Sequence, residues 1–155
     1  MVSLGFELAP ALDALRSICR KSAGFEIVHP HEPRKPPVSG FSVGAWLNAM
    51  DPVPRRSGLA ATSLRVEFNV RIYLPMSGRP EAIDTETARR VDLIFRALHD
   101  DITITPADHE IDWLGAYGET VRARSGWLTI ENTLVRIMDI FVPIIVNDAY
   151  AQVRG

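Results

Sequence analysis

Between Leu64 and Leu74 the chain alternates without a break, with Leu64, Val66, Phe68, Val70, Ile72 and Leu74 set against Arg65, Glu67, Asn69, Arg71 and Tyr73. Successive side chains of a β-strand point to opposite faces, so this run predicts a strand with one apolar core face and one polar face. Pro75 and the Ser77-Gly78-Arg79-Pro80 stretch then break the strand and turn the chain. Helical spacing follows: Ala88, Val91, Ile94, Phe95, Leu98 and Ile102 form one stripe, with Asp84 or Thr85 placed to cap it. A half-apolar sheet and a striped helix cover one another, which points to an α+β class.

The flanking segments extend this scheme. Leu8, Leu12, Leu15 and Cys19 recur at helical spacing and predict a helix near residues 4–22, with Pro10 in its first turn and Gly24 at its stop. Phe25 to Val28 reads as a brief strand. Residues 30–40 carry four prolines and a glycine, which remove sheet and helix donors and predict an extended, exposed arm or loop. Phe41 to Met50 receives no element type, except that any element there stops at Asp51, before Pro52 and Pro54. The last third reads as β: Glu110–Trp113, Glu119–Ser125, Gly126–Glu131 and Thr133–Val146. In the final run both parities are apolar, which suits a central strand or a subunit contact. The expectation is a single domain over residues 1–155, a mainly antiparallel sheet packed with two helices, without internal repeats.

Composition narrows the function classes. With 46% hydrophobic residues in 155, a self-sufficient core is possible. A formal charge of −2 excludes the strong overall basicity of a protein that binds nucleic acid mainly through phosphates, although a local basic patch stays open. Cys19 is the only cysteine, so no intramolecular disulfide forms, and its place in the helical stripe predicts a small buried side chain. The longest apolar run, Ile140 to Val146, is too short for a membrane span and contains Pro143. Without a signal-like N-terminus, the expectation is a soluble protein assembled inside the cell.

Motifs for catalysis are sparse. Gly40-Phe41-Ser42-Val43-Gly44 matches the G-x-S-x-G elbow of α/β-hydrolases, but a proline-rich stretch stands where a buried strand should precede it. A small serine hydrolase using Ser42 is therefore the distant alternative. His29-x-His31-Glu32 and Asp108-His109-Glu110 hold metal-capable side chains without a metal-site frame, and Asp100-Asp101 reads as a solvated helix end. No Walker loop, G-x-G-x-x-G or kinase element occurs, so no cofactor, metal or catalytic residue is expected. Fifteen arginines against Lys21 and Lys35 favour fixed ion pairs at interfaces over diffuse charge, with a plain compositional bias as the alternative.

The long strand entered through Ser57-Gly58-Leu59 and running LRVEFNVRIYLPM over residues 64–76, the helix after a Pro-Glu turn, and the β-rich stretch over residues 110–150 together resemble the tail terminator proteins of long-tailed bacteriophages. Gly115-Ala116-Tyr117-Gly118 and Asp139-Ile140-Phe141-Val142-Pro143 carry most of the likeness, which spans residues 40–150. The resemblance implies a tail-terminator-like fold and a structural virion protein, not an enzyme. In that family six copies form a ring on the head-proximal end of the tail tube, end its polymerisation and join it to the head connector. The implied partners are further copies of the chain, the tail tube protein and the head connector or neck protein, with DNA passing through the lumen without sequence recognition and no membrane contact. The implied location is the head–tail junction of the virion, after assembly in the host cytoplasm. A neck, stopper or head completion protein of the same connector is the close alternative.

The family carries over no catalytic residues, so interface candidates come from the physics of this chain. They are Arg34 and Lys35 on the arm, Trp46, the polar-face residues Arg65, Arg71 and Tyr73, and Arg136, Asp139 and Phe141 of the final strand. A solvent-facing sheet surface and a plain loop remain the simpler alternatives for the polar face and the arm.

Overall fold

The structure, a computed structural model, describes residues 8–37, 40–100 and 109–151, with His109 and Ala151 described for backbone alone. Helix α1 (Leu8–Lys21) buries Ala11, Leu15, Ile18 and Cys19, which recur every three or four residues on one side. Pro10 sits in its first turn, as expected, whereas residues 4–7 lie outside the described residues. Beyond the helix Gly24 adopts φ +70°, a left-handed conformation that glycine accepts freely, and the Phe25 N–H reaches the Cys19 carbonyl at 3.1 Å. Burial pushes the Cys19 thiol up to about 12, so it stays a neutral packing group.

Six strands follow in one sheet: β1 (Ile27–His29), β2 (Ser42–Pro52), β3 (Ala61–Tyr73), β4 (His109–Ile111), β5 (Arg122–Ile130) and β6 (Thr133–Ala151). Helix α2 (Pro80–Asp100) joins β3 to β4. The spatial order is β1-β2-β3-β6, with β5 and β4 in succession along the far edge of β6, and every pairing except β1 with β2 is antiparallel. The even-numbered residues of β3 pack with Val43, Ala45, Ile140, Val142, Ile144 and Val146 under both helices to form the main core. Across the sheet, Tyr73, Ile130, Val135 and Ile137 form a second, smaller cluster.

Several sequence expectations are corrected here. The segment left without a type is β2, and its register slips between Leu47 and Ala49 opposite Phe68 and Glu67. Asn48 is the extra residue of a β-bulge, so the period of two is lost halfway along. The runs Glu119–Ser125 and Gly126–Glu131 are one strand, because Gly126 keeps its place opposite Ile137. Helix α2 begins at Pro80, where a missing N–H costs nothing, and not at Asp84 or Thr85. Its buried positions are Thr87, Ile94 and Leu98 while Ala88 is exposed, and Asp101, Ile102 and Asp108 lie outside the described residues. The polar parity of β3 is not a wet face either, since Arg65 is 6%, Asn69 4% and Tyr73 0% exposed.

Strand β6 runs through Pro143 for a physical reason. The Pro143 carbonyl accepts from the Asp112 N–H at 2.9 Å on the far edge, and in a strand a residue's N and O point the same way. The missing N–H therefore faces the gap where β5 ends opposite Phe141 and β4 begins opposite Ile144. No bond to β3 is lost. At the other end Glu131 (φ 48°) and Asn132 (φ 63°) make the two-residue turn between β5 and β6, both left-handed as a type I′ hairpin requires.

Phe68 is fully buried under both helices at the centre of β3. Truncation to Ala is expected to cost ~3–5 kcal/mol of stability, seen as a lower urea midpoint with an unchanged denaturant slope.

Candidate functional site

The face of the sheet away from the helices carries the charged residues. Near one end Arg65 of β3 donates from Nε to Asp112 Oδ2 at 3.2 Å, and its other nitrogens bond Glu67 and the Glu119 carbonyl. Asp112 in turn accepts the backbone N–H groups of Ala116 at 2.8 Å and Tyr117 at 3.1 Å. The Gly115-Ala116-Tyr117-Gly118 turn is thus tied to the sheet by a buried ion pair. Both glycines are needed: Gly115 sits at φ +70°, and a Cβ on Gly118 would meet the Arg65 guanidinium at 2.5 Å. From the outer side Arg56 donates to the Tyr117 hydroxyl at 2.8 Å, lies 5.0 Å from the ring centre and bonds Glu110 at 2.6 Å. The clamped loop holds Leu114 outward, 89% exposed.

A second charged centre lies in the middle of the same face. Arg71 donates to both oxygens of Asp139, its cross-strand neighbour, at 2.7 and 3.1 Å, and packs 5.2 Å from the Trp46 ring. Burial opposes the Arg71 charge, but the Asp139 carboxylate more than offsets it and holds the guanidinium pKa above its ordinary value. Glu32 reaches Arg71 at 3.4 Å from the proline-rich segment. Phe141 occupies the next row, opposite Asn69, with the Arg122 guanidinium 4.9 Å from its ring. Burial pushes the nearby Tyr73 phenol up to about 12, against the pull of Arg71.

The described part of the arm, residues 30–37, contains neither helix nor strand and folds beside the sheet edge; Val38 and Ser39 lie outside the described residues. Arg16 of α1 donates to the Pro30 carbonyl at 2.8 Å. Ile27, Pro33, Pro36 and Pro37 line a cavity of about 440 Å³, with Arg34 and Lys35 exposed beside it. At its base His29 Nε2 and Ser42 Oγ share a 3.0 Å hydrogen bond. This is not a nucleophile elbow: Ser42 opens a strand that leads into another strand, and it is 1% exposed. Among the described residues no cluster of three or more His, Cys, Asp or Glu side chains is arranged to hold a metal ion, and no helix is long and apolar enough to cross a membrane.

Of the interface candidates, Trp46, Arg71, Asp139 and Phe141 therefore come together, and Arg65 and Tyr73 lie inside the chain. Arg34 and Lys35 stand at the cavity, while Arg136 lies on the other face and pairs with Asp84 of α2 at 2.7 Å. Sequence reading missed the exposed Trp127 and Leu134 of the β5–β6 hairpin. The Glu131-Asn132 turn, taken as the tip of a paired hairpin, would have placed them on one face.

No family model matches the chain, and no curated protein sequence matches it. Among solved structures it is similar to the sheath/tube terminator of an extracellular contractile injection system, PVC, in the extended state, with a TM-score of 0.51 and 11% identity. The match covers 99% of this chain and 62% of the terminator chain, so this protein spans less than two thirds of that one's length. At this identity the likeness shows a shared fold.

Two outcomes follow from the geometry. Changing Arg65 to Met leaves Asp112 buried without its charge partner, and is expected to cost ~3–5 kcal/mol in chemical denaturation. Burial and the neighbouring His31 lower the His29 pKa below its ordinary 6.5, so the unfolded chain binds the extra proton. The stability contributed by neutral His29 is complete above pH 6.5 and declines as the pH falls below it; His29→Gln should remove that part of the pH dependence of the urea midpoint.

Proposed function

We propose that this chain is a one-domain tail terminator subunit, a structural protein that caps a tail tube in a bacteriophage particle and joins it to the head connector. The observation that carries this reading is the fold shared with a sheath/tube terminator over 99% of the chain. The independent resemblance of residues 40–150 to phage tail terminators supports the same role. In this reading six copies close a ring on the head-proximal end of the tube, and the tube protein and a neck protein are its two neighbours. DNA passes the lumen without being read, in keeping with a formal charge of −2.

The sheet suits such a task because the two arginines at its charged centres are paired within the chain. Arg65 and Arg71 each bond carboxylates of the same chain, so the charged face remains a rigid scaffold whether or not a neighbour is present. The three most exposed large apolar side chains stand on protruding segments: Leu59 before β3, Leu114 on the clamped loop and Trp127 on the hairpin. Apolar residues presented on loops and hairpin ends are the parts of a scaffold that contact partners.

Adding the purified protein to polymerising tail tube subunits of its own particle tests the role. Electron microscopy should show shorter tubes, each carrying a sixfold ring at one end. Tubes of unchanged length with bare ends would refute it.

A further inference from the structure

We infer that the β5–β6 hairpin of one copy docks into the proline-lined cavity of a second copy, as a head-to-tail contact between subunits. This rests on the ring reading above and gives that ring a specific joint. Strand β3 ends opposite Ile137, so residues 127–136 extend past it as a two-stranded hairpin, with the Leu74 N–H bonding the Arg136 carbonyl at its base. One hairpin face is used up, because Ile130, Val135 and Ile137 cover Tyr73. The other face presents Trp127, 65% exposed, and Leu134, 55% exposed, at diagonally adjacent cross-strand positions. A tight I′ turn and the Arg136–Asp84 pair brace that face, so little freedom is lost when it docks. An exposed tryptophan on a braced hairpin is the kind of residue that anchors an interface.

The receiving cavity has matching chemistry. Ile27 and three prolines form the apolar part of its wall, His29, His31 and Ser42 add polar groups, and its volume of about 440 Å³ leaves room for an indole ring. Proline fixes φ, so these walls are preformed. Charge matches at one point: Arg34 and Lys35 flank the cavity and Glu131 stands at the hairpin tip, while Asp84 and Arg136 neutralise one another beside Trp127 and Glu32 on the arm turns to Arg71. Arg124, the exposed cation of β5, pairs across from Asp139 and so belongs to the opposite face from Trp127.

Position makes the occupant a second copy. The cavity belongs to β1 at one edge of the sheet and the hairpin to the far side of β6, four strand spacings or roughly 19 Å away. A chain cannot fill its own cavity with its own hairpin across that width. Two different patches that meet between copies make a heterologous contact, which closes into a ring when the rotation allows.

Complementation tests this directly. Trp127→Glu spoils only the hairpin and Ile27→Arg only the cavity; both positions are exposed, so both variants should keep the wild-type urea midpoint. In sedimentation velocity wild type should associate as concentration rises, and each variant should weaken that association by about 30-fold or more. An equal mixture of the two retains one intact joint and should give a species of two subunits and nothing larger. Glu131→Lys and Arg34→Glu, each weakening alone and recovering when combined in one chain, give a second test that leaves the apolar contact intact. A wild type that stays monomeric, variants that associate like wild type, or a mixture that stays monomeric would overturn the contact. The tube assay separates the two ideas: Trp127→Glu capping tubes as well as wild type overturns the joint and leaves the terminator reading, whereas successful complementation with uncapped tubes does the reverse.

Discussion

Strand β6 bonds to β3 along almost all of its length, from Ile137 opposite Tyr73 to Ala151 opposite Ala61, and on its other edge to β5 and then β4. Its residues are apolar in both parities, and burying them on both faces requires cover on both sides of the sheet. On one side α1 and α2 provide that cover. On the other side the cover is mixed, with the hairpin cluster at one end, ion pairs in the middle and the clamped loop at the far end. The proline-rich arm and the Gly115–Gly118 loop are thereby fastened to β3, the long partner of this strand.

The ion pairs do more for specificity than for net stability. Taking two charges out of water costs about as much as their attraction returns, so a well-packed apolar pair could replace Arg65 and Asp112 at little loss. What such a pair would not do is recognise a turn. Asp112 accepts two loop N–H groups while it holds Arg65, and Arg71 bonds Asp139 and also reaches Glu32 on the arm. The arginine excess, ambiguous as composition, becomes legible once it is seen to fix loops onto a sheet.

Elements with an unbroken period were legible in the sequence, and those interrupted by one residue were not. Strand β3 and helix α1 follow their patterns, and the two apolar parities of β6 suit a central strand or a subunit contact, of which the fold shows the first, with the strand continuing past Val146 to Ala151. One bulged residue, Asn48, hid β2. The polar parity of β3 misled for a different reason: alternation shows which side chains share a face, not whether that face is wet. Only the fold brings Asp112 to Arg65 across 47 residues and Asp139 to Arg71 across 68. Trp46, Arg71, Asp139 and Phe141 were picked separately and proved to be neighbours, whereas Trp127 carried no local signal beyond being a tryptophan in a β-prone run.

A likeness at 11% identity preserves a backbone path and few side chains. Features that depend on backbone, a sheet with helices on one face, are therefore what two such distant chains share. Contacts between subunits depend on particular side chains and must be rebuilt in each. That rebuilding is easiest on segments that project from the sheet, because a hairpin tip or a proline-rich loop can change without disturbing the ladder beneath it. The main core and the two charged centres lie within the sheet layers, while the three most exposed large apolar residues, Leu59, Leu114 and Trp127, lie on projections; Ile27, Leu47, Met50 and Tyr150 are less exposed and lie on the strands. A shared backbone and chain-specific projections thus divide the molecule, and what the projections contact lies in residues that no sequence comparison at this distance can transfer.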